Sequence, residues 1–188
     1  QLAANDDNSL HVMDPLVSLR VPDAVPGGHL FVEVRNAVMP GGNPTSCTHI
    51  GTFRRPLAAY PAGGKAGESV SVTFRGDPLG EFTETVAVPP GAGTFSWYGD
   101  APSPLSLRSS PYGNLLEDPA AAETPVPSLP IAVNGVIEQP GDKDLFRLAV
   151  KKGDRYRVRV YASALGHPID PLLLIRPVGP DGTPGAPE

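Results

Sequence analysis

Carboxylates gather where this chain should turn. NDDNS sets Asp6 and Asp7 between asparagines, GDKD sets Asp142 and Asp144 two residues apart, and Asp14 and Asp170 each precede a proline. Calcium takes six to eight oxygen ligands and finds them in Asp- and Asn-rich loops. Asp6, Asp7, Asp142 and Asp144 are therefore a candidate calcium set, with Asn5 and Asn8 on the same side as the first pair. The competing reading is that these carboxylates cap turns by accepting backbone N–H bonds. No EF-hand pattern is present.

Other chemistry is thinner. His11, His29, His49 and His167 are scattered, and only Cys47 and His49 would share a strand face. Further ligands for that pair are not evident, so Cys47 is expected to be a buried or half-buried free thiol. No G-x-S-x-G, H-E-x-x-H or P-loop occurs, and Ser109 and Ser110 have no recognisable partner. The expectation is a non-enzyme. Arg155, Arg157 and Arg159 alternate into a basic stripe that Lys151 and Lys152 extend. Such a stripe suits a polyanion, an acidic glycan or a carboxylate-rich neighbour. It equally suits a solvated face that discourages edge aggregation.

Elements must hold these residues, and composition bounds which. The 188 residues include 21 Gly and 24 Pro, yet 40% are hydrophobic, so the Pro and Gly punctuate short apolar runs. With 19% charged residues and a formal net charge of -5, bulk electrostatics do not favour nucleic acid. No apolar run reaches membrane-spanning length. One cysteine excludes an internal disulfide.

Period-two alternation recurs along the chain. It places Val17, Leu19 and Val21 on one face, then Leu30, Val32 and Val34, then Val70, Val72 and Phe74. It continues with Phe82, Val86 and Val88, which puts Glu84 on a core-facing position, and with Phe146, Leu148 and Val150. Tyr156, Val158 and Val160 oppose the arginine stripe, and LLLIRPV reads as a central strand. Helix signals are nearly absent: the AAAE run is boxed in by Pro119 and Pro125. The expected class is all-β, antiparallel strands packed as β-sandwiches. Residues 99–127 are Pro- and Ser-rich without a period and read as an extended connector pinned by Leu105, Leu107, Tyr112, Leu115 and Leu116.

Two passages echo each other, MDPLVSLRVP from Met13 and IDPLLLIRPV from Ile169. The tail from NGVIEQPGDKDLFRLAV through KKGDRYRVRVY to DPLLLIRPVGPDG resembles the first half of a bacterial pre-peptidase C-terminal domain. The head, QLAANDDNSLHVMDPLVSLRVPDAVPGGHLFVEVRNA, resembles its second half. The resemblance covers residues 128–188 and 1–56, with the halves in swapped order. Residues 57–98 are similar to the immunoglobulin-like modules beside such domains.

The resemblance implies a jelly-roll sandwich in two pieces, a small immunoglobulin-like sandwich, and a secreted or cell-surface bacterial location. Some relatives bind calcium, but Glu117 and Asp118 stand in a shortened version of the family's acidic run, so no ligand set transfers cleanly. A half-sandwich exposes unpaired strands and an apolar face. Leu2, Leu172, Leu174 and Val178 are the expected interface residues. Three arrangements satisfy them: pairing in cis, pairing with neighbouring domains of a longer chain, or pairing head-to-tail between copies. The function expected is a non-catalytic extracellular assembly module, a filament or repeat subunit. The alternative is a polysaccharide- or protein-binding accessory module of a secreted enzyme.

Overall fold

Alternating Val and Phe separated by Ser and Thr fit a pleated surface with one buried side, and SVSVTFR becomes the longest strand among the described residues. The computed structural model describes residues 1–5, 14–35 and 45–185. In chain order the strands are β1 (Ala58–Tyr60), β2 (Gly63–Lys65), β3 (Ser69–Arg75), β4 (Phe82–Ala87), β5 (Gly93–Trp97) and β6 (Leu105–Ser110). The short strands β7 (Asn114–Leu116), β8 (Thr124–Pro125), β9 (Ala132–Asn134) and β10 (Phe146–Arg147) follow. Helical structure among the described residues is confined to two 3-10 turns, Pro26–Gly28 and Ser163–Leu165. The class is all-β.

Two three-stranded sheets form the centre, ordered β1-β3-β4 and β2-β6-β5. The β3–β4 hairpin runs in register from Ser69 opposite Ala87 to Phe74 opposite Phe82. Asp77 closes it: its carboxylate accepts from the Leu79 amide at 2.8 Å and from the Arg55 amide at 2.6 Å. In the other sheet β5 and β6 are antiparallel, whereas β2 joins β6 in parallel. That parallel join depends on Gly63, whose φ of 147° and contact with the Arg108 backbone leave no room for a Cβ.

Both sheets contribute to one hydrophobic cluster: Ala59, Val72, Phe74 and Val86 from the first, Leu105 and Leu107 from the second. Phe74 is its centre, stacked on Trp97 at 3.9 Å between ring centroids and on Phe82 at 5.2 Å. The alternation expected for Val70, Val72 and Phe74, and for Phe82, Val86 and Val88, is thus seen in burial. Glu84 lies opposite Val72 but remains exposed at the sheet surface. The guanidinium of buried Arg55 ties the start of this region to its far turn, donating to Ser103 Oγ at 2.9 Å and to the carbonyls of Pro104 and Pro56, both at 2.8 Å.

Two expectations change here. Residues 105–110, read as connector, form the middle strand of a central sheet; Leu105 and Leu107 do pin the segment, fully buried. Cys47 is exposed, because residues 45–50 belong to no strand and stand clear of the core.

Candidate functional site

The strands expected in the head and tail belong to no ladder. Among the described residues, none of 14–35 and none of 148–177 is in a sheet. The physical reason is that an alternating segment becomes a strand only when a second strand takes up its N–H and C=O groups. Their apolar residues consequently face solvent: Val17, Val21, Leu30, Val32 and Val34 in the head, Tyr156, Val158 and Val160 in the tail. Phe31 is fully exposed, and Leu172 is 83% exposed. The four expected interface residues are placed alike. Leu2, Leu172 and Leu174 are exposed without ladder partners, and Val178 makes a single bridge to Pro184.

Both segments are nevertheless anchored near their ends. In the head, the Leu16 amide donates to Asn5 Oδ1 at 3.1 Å, and Ala3, Asn5, Leu16 and Val17 share a cleft of about 260 Å³ with Leu57, Gly76 and Pro78. In the tail, Tyr161 lies between two guanidinium groups, Arg108 of β6 at 4.4 Å and Arg159 at 4.7 Å from its ring centroid. Arg159 thereby takes part in docking the tail while remaining exposed beside Arg155 and Arg157. The KKGD turn before them is set by Asp154, which accepts from the Lys151 amide at 3.0 Å and the Tyr156 hydroxyl at 2.6 Å. Those two donors hold its carboxyl below the usual range, the tyrosine hydroxyl most.

The second half of the candidate calcium set lies at a different place, the junction of β7, β9 and β10. Asp142 is a turn cap: its two oxygens accept from the Glu138 amide at 2.9 Å and the Lys143 amide at 2.7 Å. Asp144 meets Glu117 carboxyl to carboxyl. Two carboxylates are acceptors only, so a hydrogen bond between them requires a shared proton. Burial raises both above their ordinary values, and the charges of Asp144 and Asp142 raise Glu117 further; the Val136 amide, donating to Glu117 Oε2 at 2.9 Å, opposes the rise. Both carboxyls press on Gly135, where a methyl group would stand 2.5 Å from Glu117 Oε2 and closer still to Asp144.

Asp142 thus accepts from the amides of its own turn, and Asp144 lies beside Glu117 at Gly135. Among the described residues no group of three or more His, Cys, Asp or Glu side chains is arranged to hold a metal ion. Asp6 and Asp7, the other half of the candidate calcium set, lie outside the described residues.

Sequence reasoning missed Arg55 with Asp77, Glu117 with Asp144, and Arg108 with Tyr161. Each joins residues far apart in the chain, and none has a local spacing signal. No helix among the described residues is long and apolar enough to cross a membrane. Comparison with known proteins finds no family model that matches the chain, and no curated protein or solved structure similar to it.

Proposed function

We propose that this chain is a non-catalytic, extracellular structural module that joins copies of itself head to tail by β-strand complementation. The observation that carries the reading is the pairing of opposites within one chain. A central pair of sheets holds a fully buried core, while two flanking segments of strand-like alternation leave their apolar faces in solvent. Free ladder groups beside exposed Val, Leu and Phe are what strand addition consumes: main-chain hydrogen bonds supply affinity and alternate side chains supply specificity. The resemblance of tail and head to consecutive halves of a pre-peptidase C-terminal domain supports the same pairing. A tail-to-head contact that does not close on itself builds a fibre.

The alternative, a polysaccharide-binding module, asks for an exposed aromatic platform. Trp97 is committed instead to its stack on Phe74.

Leu172→Asp with Leu174→Asp tests the reading. Both side chains are exposed in the single chain, so the central core keeps its far-UV circular dichroism and its melting midpoint. Light scattering then shows wild type above the mass of one chain and the double variant at that mass. Equal masses for the two proteins would refute it.

A further inference from the structure

We propose that the head segment 30–35 of one copy pairs antiparallel with the tail segment 153–158 of a second copy, with Glu33 opposite Arg155. This rests on the assembly reading above and adds the strands, their direction and their register.

Charge favours joining head to tail: residues 1–35 as a whole carry five acidic and two basic side chains, of which Glu33 and Arg35 lie in the pairing segment, and residues 151–160 carry five basic and one acidic. Neither segment has a ladder partner among the described residues, and Gly153, at the edge of the tail segment, sits in the KKGD turn with φ 93°. Each sorts its side chains by face: Leu30, Val32 and Val34 against Phe31, Glu33 and Arg35 in the head, Tyr156, Val158 and Val160 against Arg155, Arg157 and Arg159 in the tail. When the polar faces lie on the same side of a shared sheet, both apolar faces point the other way.

Like charges directly opposite one another are destabilising in a sheet, and that condition selects the register. With Glu33 opposite any of the three arginines, the strands can run parallel or antiparallel. Antiparallel pairing of Glu33 with Arg157 or Arg159 sets Arg35 opposite Arg155 or Arg157. Parallel pairing of Glu33 with Arg155 or Arg157 sets Arg35 opposite Arg157 or Arg159. Parallel pairing with Arg159 brings Arg35 to Tyr161, whose ring already holds Arg108 and Arg159. Antiparallel pairing with Arg155 alone leaves Arg35 opposite Gly153. It also puts the ring of Phe31 opposite the Arg157 guanidinium, a cation–π contact. On the apolar face it matches Leu30 with Val158 and Val32 with Tyr156.

The partner is a second copy because within one chain the two segments do not pair with each other: both are exposed and neither is in a ladder. The head lines a cleft with Leu57 and Gly76 at the ends of β1 and β3, and the tail is held by Arg108 on β6.

Single-cysteine chains test this. In a Cys47→Ser background, one chain carries Val32→Cys and the other Tyr156→Cys, so a mixed disulfide forms only between copies. Oxidation of the mixture is expected to give at least tenfold more heterodimer than Val32→Cys mixed with Leu172→Cys or with Val160→Cys. Glu33→Arg is expected to weaken self-association roughly tenfold, as one attractive cross-strand pair becomes repulsive. Mixing it with Arg155→Glu is expected to restore hetero-association. Association that persists while cross-linking favours Leu172→Cys or Val160→Cys would overturn the register and leave the assembly reading standing. Absence of any association of the wild-type chain would overturn both.

Discussion

Phe31 and Phe74 carry the same side chain in opposite environments, and replacing each with alanine separates folding from assembly. Phe74 is fully buried and stacked on Trp97 and Phe82. Removing its ring loses the transfer energy of the ring and leaves a cavity that the neighbouring strands fill only in part, a cost of about 3–5 kcal/mol. Folded domains hold only about 5–15 kcal/mol in total, so Phe74→Ala consumes a large part of it. At about 4–8 °C per kcal/mol for a core of this size, the midpoint falls by about 12–40 °C. Phe31 is fully exposed, and Phe31→Ala should move the unfolding free energy by no more than about 0.5 kcal/mol. Urea unfolding of the dilute monomer, followed by far-UV circular dichroism, measures both. Trp97 fluorescence serves as a second probe for Phe31→Ala. A loss below about 1 kcal/mol for Phe74→Ala would place the core elsewhere. A loss above about 1 kcal/mol for Phe31→Ala in the monomer would show that the head packs within its own chain.

Three further outcomes follow from named contacts. Asp77→Ala removes the acceptor for the Arg55 and Leu79 amides and should cost about 1.5–3 kcal/mol in urea melts, the range for hydrogen bonds to a charged group. Gly63→Ala forces a side chain into positive φ against the Arg108 backbone; strain alone predicts a loss of roughly 1–3 kcal/mol, with exchange protection lost first at the amides joining β2 to β6. The Glu117–Asp144 pair has both pKa values raised in the fold from 4.5 and 3.8, so its contribution is fully present below about pH 3.8 and is lost as pH rises through the folded values. In Glu117→Gln the amide donates permanently to Asp144, so stability should change less between pH 4 and pH 7 than in wild type; parallel profiles in urea melts would contradict that sign.

The centre of the fold was legible because its signal is local. Val70, Val72 and Phe74, then Phe82, Val86 and Val88, alternate within single strands, and a buried face follows directly. Strand β6 was less legible. LSLRSS alternates, but Pro102 and Pro104 precede it and Pro111 follows, and its parallel partner β2 is far away in the chain. The head and tail show the converse. Their alternation is as clear as that of β3, yet a ladder needs two strands, and period alone does not say which second strand is available. The carboxylates of GDKD show how far such partners lie. Asp142 and Asp144 are close in sequence, but one caps its own turn and the other finds Glu117, a partner that no local pattern announces.

Backbone amide exchange of residues 29–35 and 155–160, measured as the wild-type chain is concentrated, addresses the central claim most directly. Strand addition between copies predicts free exchange in the dilute monomer and protection that grows with concentration, while β3 and β6 stay protected throughout. Free exchange at every concentration, or full protection already in the dilute monomer, would contradict it.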